Sequence, residues 1–429
     1  MITESSLNVI ASCLFFLAIV HTFSVNAFKT LASHYPAGSF RENFFHILGE
    51  IEVVFGVWAS IYIVCYSMVF TTEKAVAYLN TLSFSEPIFV FVIMCVAGTR
   101  PIIVNIKNLI FRISSVLPVH HALSVYFITL VLGPLLGSFI TEPAAMTVTA
   151  LILREVYFTK KVSDRFKYLT LALLFVHVSI GGVLTHFAAP PVIMVAKSFN
   201  WDLAYMFFNF GWRALIAIFI NTTIVVFLLK KELQGLEIKV ESRTRIERTS
   251  LKNWWVFLVH ALFLVLMVSY HAYPNFIVPL FLLFLGWHRV SEEYQEPLKI
   301  REGLLVAYFL GGLVVLGGPQ SWWLKPIIGH LNDYALFFVS FALTAVLDNA
   351  AITYLGSLVP DLLDVSKWYL VAGAVLGGGL TVIANAPNPA GYSILNDRFG
   401  KTGINPLYLF LAALGPSLVA VAIFLVRFN

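Results

Sequence analysis

The sequence is poor in charged residues and in cysteine. Charged side chains make up 12% of the 429 residues, whereas 59% are hydrophobic, and three cysteines are present. Cys13, Cys65 and Cys95 all lie within apolar runs and form no CxxC pattern. They therefore indicate small buried side chains rather than a disulfide framework or a metal site. A soluble core cannot absorb this much apolar surface, so the composition predicts an all-α polytopic membrane protein.

The sequence also lacks the motifs of several enzyme classes. It has no Walker A loop, which argues against ATP-driven pumping, and no HExxH or GxGD motif of an intramembrane protease. Its net charge of +5 comes from basic residues in short loops between apolar runs and does not indicate nucleic-acid binding. These absences argue against those classes, and we expect neither an enzymatic activity nor a cofactor. The expected partners are membrane lipid and a small inorganic cation.

Ten apolar runs are of roughly the length that spans a membrane. They lie at about 6–28, 44–70, 86–108, 168–197, 204–229, 254–270, 273–288, 303–318, 368–395 and 405–426. Two further runs, 122–153 and 332–359, are interrupted at Thr-Glu-Pro and at Leu-Asp-Asn. We expect each of these two runs to form a re-entrant hairpin, which enters and leaves the membrane on the same side.

The distribution of lysine and arginine supports the two hairpins. If the N-terminus is outside and both hairpins are re-entrant, 22 of the 28 basic residues fall on the inner side and five on the outer side, and Arg213 lies within a span. This asymmetry follows the positive-inside rule. It predicts that the N-terminus and the C-terminus both lie outside the cytoplasmic membrane.

This layout divides the chain into two inverted repeats, an architecture found in many secondary transporters. The repeats cover 1–229 and 254–429, and each contains five transmembrane helices and one re-entrant hairpin. The charged segment 230–253 joins them as a cytoplasmic linker. The first hairpin is expected to enter from the inside and the second from the outside.

Two internal sequence echoes support the repeats. The matching stretches are TEPAAMT (141–147) with LDNAAIT (347–353), and GVLTHFAAPP (182–191) with GGLTVIANAP (378–387). The second pair places Thr185 opposite Thr381, and its Gly, Pro and Asn residues lie in the middle of a span. Proline removes a backbone donor and clashes with the preceding turn. We therefore expect one broken helix in each repeat, at 168–197 and at 368–395.

Glu142 and Asp348, one in each hairpin, are the candidate residues for binding ions and protons. A carboxylate within the bilayer is costly and generally has a partner or a function. One interpretation is that the two acids cap the second arm of each hairpin, which suits Asp348 better than Glu142. The other is that both face a central cavity and bind a hard cation together with neutral oxygens. These oxygens would come from Asn349, Thr353, Thr147, Asn385, Asn388, Thr185 and Thr381.

Four further polar residues have two interpretations each. Arg213 lies about 14 Å along its helix from residue 204, and we expect it to pair with an acid, preferably Glu142, either to tune the acids or to hold helices together. His186 either tunes the pH response or packs in the core. Glu50 and Glu52 either line an inner vestibule or lie at the membrane interface.

The second hairpin and the second broken helix carry a family resemblance. The stretches AVLDNAAITYLGSLVPD (345–361) and GGGLTVIANAPNPAGYSIL (377–395) resemble a bacterial family of sodium/proton antiporters. The paired hairpins are similar to those of the ion transporter superfamily, which also includes dicarboxylate importers and arsenite exporters. The dicarboxylate importers carry Ser-Asn-Thr at each hairpin tip, whereas this sequence has Thr-Glu-Pro and Leu-Asp-Asn. Two carboxylates repel an anion, so the departure favours a cation.

The resemblance implies a secondary active transporter in the cytoplasmic membrane of a bacterium. We expect it to exchange a monovalent cation, sodium in the first place, for protons by alternating access. The alternative is a transporter of a small anion or oxyanion, carboxylate or arsenite, on the same fold. Many proteins of this architecture are dimers, so a homodimer is compatible with the resemblance, although no interface signature stands out in the sequence.

Overall fold

The computed structural model describes residues 4–238, 254–400 and 402–426. Every regular element in these residues is a helix, as the composition predicts. Helices satisfy each backbone donor and acceptor within one segment, which a bilayer requires. Of the predicted linker 230–253, residues 239–253 lie outside the described residues. The chain ends, 1–3 and 427–429, also lie outside the described residues, so their location on the outer side stays a prediction.

The described residues form helices in both halves of the chain, joined by short turns. In the first half these are α1 (Glu4–Ala32), α2 (Phe40–Leu48), α3 (Val54–Val69), α4 (Thr72–Asn80), α5 (Ser85–Ala97), α6 (Arg100–Val116), α7 (His121–Ile140), α8 (Glu142–Leu153), α9 (Asp164–Gly181), α10 (Pro190–Ala196), α11 (Leu203–Met206) and α12 (Trp212–Gln234). In the second half these are α13 (Trp254–Ser269), α14 (Pro274–Val290), α15 (Ile300–Gly317), α16 (Ser321–Ile328), α17 (Asp333–Thr344), α18 (Asn349–Ser357), α19 (Asp364–Gly377), α20 (Asn388–Leu395) and α21 (Pro406–Leu425).

Seven helical runs in the described part of the chain are long and apolar enough to cross a membrane. An eighth would be the pair α4–α5, if the two helices, which are bent by 69° relative to each other, count as one span. The seven runs are Leu7–Ala32, Ile51–Val69, His121–Ile140, Asp164–Leu184, Leu203–Gln234, Ile300–Ile328 and Pro406–Leu425. Helices α13, α14 and α17 are apolar but shorter. The prediction of a multi-pass, all-helical membrane protein is confirmed.

One predicted span is wrong as a single helix. The run 86–108 is divided between α5 and α6, because α5 ends at Ala97 and Thr99 adopts an extended conformation before α6 begins at Arg100. Pro101 lies in the first turn of α6, where a missing N–H costs nothing, so Thr-Arg-Pro is a helix start rather than the interior of a span.

A second predicted span, 44–70, is also interrupted. Glu50 is extended, and the chain continues as a 3-10 turn, Ile51–Val53, before α3 begins.

Both predicted hairpins contain a helix break close to the acid. Helix α7 ends at Ile140 and α8 begins at Glu142, and between them Thr141 has φ +80° and ψ 149°. This backbone conformation is adopted almost only by glycine, so a threonine there is strained. In the second hairpin, α17 ends at Thr344 and α18 begins at Asn349.

The two predicted broken helices are also interrupted. In the first, α9 ends at Gly181, a 3-10 turn follows, and α10 begins at Pro190. In the second, α19 ends at Gly377 and α20 begins only at Asn388. Proline suits the first turn of a helix and cannot continue one, which accounts for restarts at these positions.

The elements of the two halves pack against each other in a crossed arrangement. Helix α10, from the first broken helix, packs on α18 of the second hairpin, and α20, from the second broken helix, packs on α8 of the first hairpin. Helices α9 and α19 meet at the centre, where the Ser179 hydroxyl donates to the Val375 carbonyl at 2.7 Å. The breaks of all four elements are thereby brought together.

The packing of α3 on α15 gives a testable prediction. A Cβ at Gly312 would overlap with the backbone of Phe55 and Gly56, whereas one at the adjacent Gly311 would lie 3.8 Å from the Phe84 ring. We expect Gly312→Ala to lower the free energy of unfolding by about 1–3 kcal/mol, because the two backbones must move apart. Gly311→Ala, the matched control, should not destabilise the protein. Equal melting temperatures of the two variants in detergent would contradict this close packing.

Candidate ion-binding site

Glu142 lies at the centre of the crossed arrangement and is completely buried. One of its carboxylate oxygens, Oε2, accepts a hydrogen bond from Nδ2 of Asn385 at 3.0 Å. Glu142 is the first residue of α8, whereas Asn385 lies in the unwound segment between α19 and α20. This single bond therefore joins the first hairpin to the second broken helix.

Asp348 lies at the corresponding break of the second hairpin and is 9% exposed. It caps α18, since its Oδ1 accepts a hydrogen bond from the backbone N–H of Ala350 at 2.8 Å. Its carboxylate also interacts with the backbone of Ala386 in the second broken helix. The capping interpretation is thus correct for Asp348. It does not apply to Glu142, which lies inside its helix after Thr141.

Two further asparagines hold the unwound segments in place through their amide N–H groups. Nδ2 of Asn388 donates to the carbonyls of Gly378 and Thr381, each at 2.8 Å. Nδ2 of Asn349 lies 3.5 Å from the Ser179 hydroxyl, and its backbone N–H donates to the Ala384 carbonyl at 3.0 Å. Both side chains are fully buried.

Four buried oxygens at this crossing have no hydrogen-bond donor among the described residues. They are Glu142 Oε1, Asn349 Oδ1, Asn385 Oδ1 and Asn388 Oδ1. A buried acceptor without a donor costs about 1–3 kcal/mol, so four of them together require a common explanation. Carboxylate and amide oxygens are the ligands that hard cations prefer. The group of these four oxygens, called the oxygen cluster below, is therefore the candidate site for a small cation.

The four candidate threonines donate their hydroxyl protons to carbonyls. Thr185 donates to Ser138 at 2.7 Å and Thr381 to Ala345 at 2.9 Å, so each ties a broken helix to the hairpin of its own half. Thr147 and Thr353 donate within their own helices, to the carbonyls of Pro143 at 2.9 Å and Ala350 at 3.2 Å. The hydroxyl oxygens of all four keep lone pairs that can accept a further contact. The bonds of Thr185 and Thr381 also hold the broken helices against the hairpins.

The expected pair between Arg213 and Glu142 is not formed. The Arg213 guanidinium donates to the Asn209 carbonyl at 2.7 Å and lies over the rings of Trp212 and Trp368, at 4.5 and 5.5 Å from their centroids. It shares a cavity with Asp364, the first residue of α19, about 20 Å along that helix from its break. Stacking on tryptophan, which favours arginine at this kind of site, holds Arg213 far from the two acids.

His186 also lies away from the oxygen cluster. Its ring centroid is 5.1 Å from that of His271 and 5.4 Å from that of Phe187. The contact with His271 joins it to the loop between α13 and α14 rather than to Glu142 or Asp348. His177 is buried and its Nδ1 bonds to the Leu130 carbonyl at 2.9 Å, as a core histidine does.

A water-accessible cavity leads toward the acids. This cavity, called the vestibule below, has a volume of about 380 Å³. Residues from both halves line it, among them Glu50, Glu52, Thr141, Thr147, Arg301 and Ala386. A second, much smaller cavity of about 20 Å³ is lined by Glu52, Asp348 and Asn385. Of the two interpretations of Glu50 and Glu52, the structure bears out the lining of a vestibule.

Helices that can cross a membrane, together with a buried pair of acids at a junction of helix breaks, indicate a multi-pass membrane protein with a polar site in its interior. The chain belongs to the family described as "Putative Na+/H+ antiporter", whose model matches residues 6–427. The resemblance inferred from residues 345–395 is thereby confirmed over nearly the whole chain. No curated protein sequence matches it.

The bond between Glu142 and Asn385 can be measured by a double-mutant cycle. Because it is a buried hydrogen bond between two side chains, we expect Glu142→Ala and Asn385→Ala to show a coupling of about 1 kcal/mol or more in the free energy of unfolding. Thr147→Ala removes a hydroxyl that bonds only within α8 and serves as the control partner for Asn385→Ala. That pair should be additive within about 0.5 kcal/mol. Additivity of the Glu142 pair would contradict the bond.

Proposed function

We propose that the protein exchanges sodium ions for protons, with Asp348 and Glu142 as the carboxylates that bind them in turn. The observation that carries this proposal is the oxygen cluster, in which four buried acceptors have no donor among the described residues. A sodium ion in the cluster would satisfy acceptors that otherwise destabilise the fold. Membership of a family of sodium/proton antiporters supports the same ion.

Exchange follows from competition for the same oxygens. An ionised carboxylate binds a cation, whereas a protonated one has lost the charge that attracts it. A proton and a sodium ion therefore displace each other, and each is carried when the other is absent. Asn349, Asn385 and Asn388 supply neutral oxygens, and their N–H groups are already bonded, so they need little rearrangement to accept an ion.

An anionic substrate is disfavoured by the charges at the crossing. Two buried acids repel a carboxylate, and Arg213, which could have offset them, lies beside Asp364 and Trp368 instead. No ion pair among the described residues brings lysine or arginine to Glu142 or Asp348. The functional role expected of Arg213, tuning of the acids, would have to act over a long distance, and the same applies to His186.

The proposal includes two inverted repeats, 1–229 and 254–429, with re-entrant hairpins at 122–153 and 332–359. The crossed packing of α10 on α18 and of α20 on α8 supports a twofold relation. The matching bonds of Thr185 and Thr381 to the hairpins of their own halves support it further. Alternating access then follows when one group of helices moves and exposes the central site to either side of the membrane.

The proposed membrane topology can be tested by cysteine labelling. In a background free of Cys13, Cys65 and Cys95, a cysteine at position 160 should react only from the cytoplasmic side. A cysteine at position 325 should react only from the opposite side, because the charge asymmetry places the two segments apart. Labelling of both positions from one side would rule out the hairpins and, with them, the inverted repeats.

Asp348→Asn tests the ion site directly. Asparagine caps a helix about as well as aspartate, so expression and thermal stability should be close to those of the wild type. The loss of the charge should abolish sodium-dependent dequenching of a proton-gradient dye in everted vesicles. We expect Glu142→Gln to lower the rate less or to shift its pH dependence.

The matched control is Asp364→Asn, which neutralises an exposed acid in the first turn of α19, paired with Lys367 at 2.8 Å. It should leave exchange unchanged. Wild-type exchange by Asp348→Asn would show that Asp348 is only a cap. A wild-type protein that transports carboxylate or arsenite, and does not respond to monovalent cations, would overturn the proposed substrate.

A further inference from the structure

Glu52 is the titratable residue that the vestibule and the small cavity share, beside Val306, Ala386 and Pro389, which line both as well. It lines both the vestibule and the small cavity, and the small cavity also contains Asp348 and Asn385. Glu52 belongs to the 3-10 turn that precedes α3. The helix is interrupted at Glu50, which is extended, and Glu52 follows in the 3-10 turn. This interruption places the Glu52 carboxylate where it lines both cavities.

Glu50 and Glu52 differ in their ion-pair partners. Its neighbour Glu50 is paired with Arg301 at 3.1 Å and lies 3.6 Å from Nδ1 of His46. Among the described residues Glu52 takes part in no ion pair, although Lys29, Arg301, Glu50 and Asp348 are all close enough to influence it. Lys299 and Glu302 line the same vestibule. Glu50 therefore has a structural partner, and Glu52 does not.

The small cavity has the size of a proton path. Its volume of about 20 Å³ exceeds the roughly 10–15 Å³ that one water molecule needs. A single water between two carboxylates is enough for proton transfer, which works through one bridging water as well as by direct contact. A hydrated sodium ion does not fit into this space.

On the basis of the proposed function, we propose that Glu52 relays protons between Asp348 and the vestibule through one bridging water. When sodium arrives, the O–H bond of protonated Asp348 breaks and its proton passes to the water. The water gives another proton to the Glu52 carboxylate, which then releases it to the solvent of the vestibule. Uptake of a proton runs through the same steps in reverse, and no other reactant is needed.

Two kinds of flux separate a proton relay from other roles. Exchange of sodium for protons needs the relay, whereas exchange of labelled for unlabelled sodium moves no proton. The experiment uses purified protein in proteoliposomes and compares the wild type with Glu52→Gln. Glu302→Gln is the matched control, because it removes another unpaired acid from the same vestibule but not from the small cavity.

We expect Glu52→Gln to slow sodium/proton exchange about a hundredfold, the low end of what a positioned acid or base contributes. Its sodium/sodium exchange should stay within about twofold of the wild type, because no proton transfer is involved. Glu302→Gln should retain both fluxes. Unchanged sodium/proton exchange in Glu52→Gln, or an equal loss of both fluxes, would overturn the relay.

Two further results are informative. A wild-type protein without either sodium flux would overturn the proposed function, and the relay with it, whereas wild-type fluxes with an unaffected Glu52→Gln would overturn the relay alone. If Glu52→Gln does not accumulate, Glu52→Asp keeps the charge and retracts it by one methylene. That variant should slow sodium/proton exchange selectively, and equal rates of both fluxes to the wild type would contradict the relay.

Discussion

The burial of the Glu142 carboxylate is the constraint on which the rest of the structure depends. A charge without access to water requires a donor or a counter-ion, and the donor here is Asn385, from the other half of the chain. The bond can form only where the tip of one hairpin meets the unwound part of a distant helix. The acid therefore requires the helix breaks, and the breaks in turn surround it with amide groups.

The asparagines solve two problems at once. Unwound backbone within a membrane leaves carbonyls that need donors, and the Nδ2 group of Asn388 supplies two of them, to Gly378 and Thr381. The N–H groups are used in this way, and the amide oxygens are left buried without donors among the described residues. The same side chain thus stabilises a break and keeps an unused acceptor beside it. Because the asparagines are needed where the helices are broken, their neutral oxygens and the helix breaks occur at one place.

Local chemistry made most of the site predictable from the sequence. Acids in a membrane span, and asparagines among glycines and prolines, are energetically costly, so they stand out in the sequence. The structure shows that helices begin again at Pro190 and at Asn388, close to these residues. The partner of Arg213 was not predictable, because distance along a helix does not show which neighbour it faces. Its stacking on Trp368 depends on a residue 155 positions away. The importance of Glu52 depends likewise on a break at Glu50 that hydropathy does not reveal.

The two acids are not equivalent in their surroundings. Glu142 is completely buried and accepts its hydrogen bond from the amide of Asn385. Asp348 is slightly exposed, caps a helix, and lines the small cavity that it shares with Glu52. Solvent that reaches this crossing through the cavity therefore meets Asp348 before Glu142. Because burial without water is costly for a charged group, the two carboxylates differ in how easily each can gain or lose a charge.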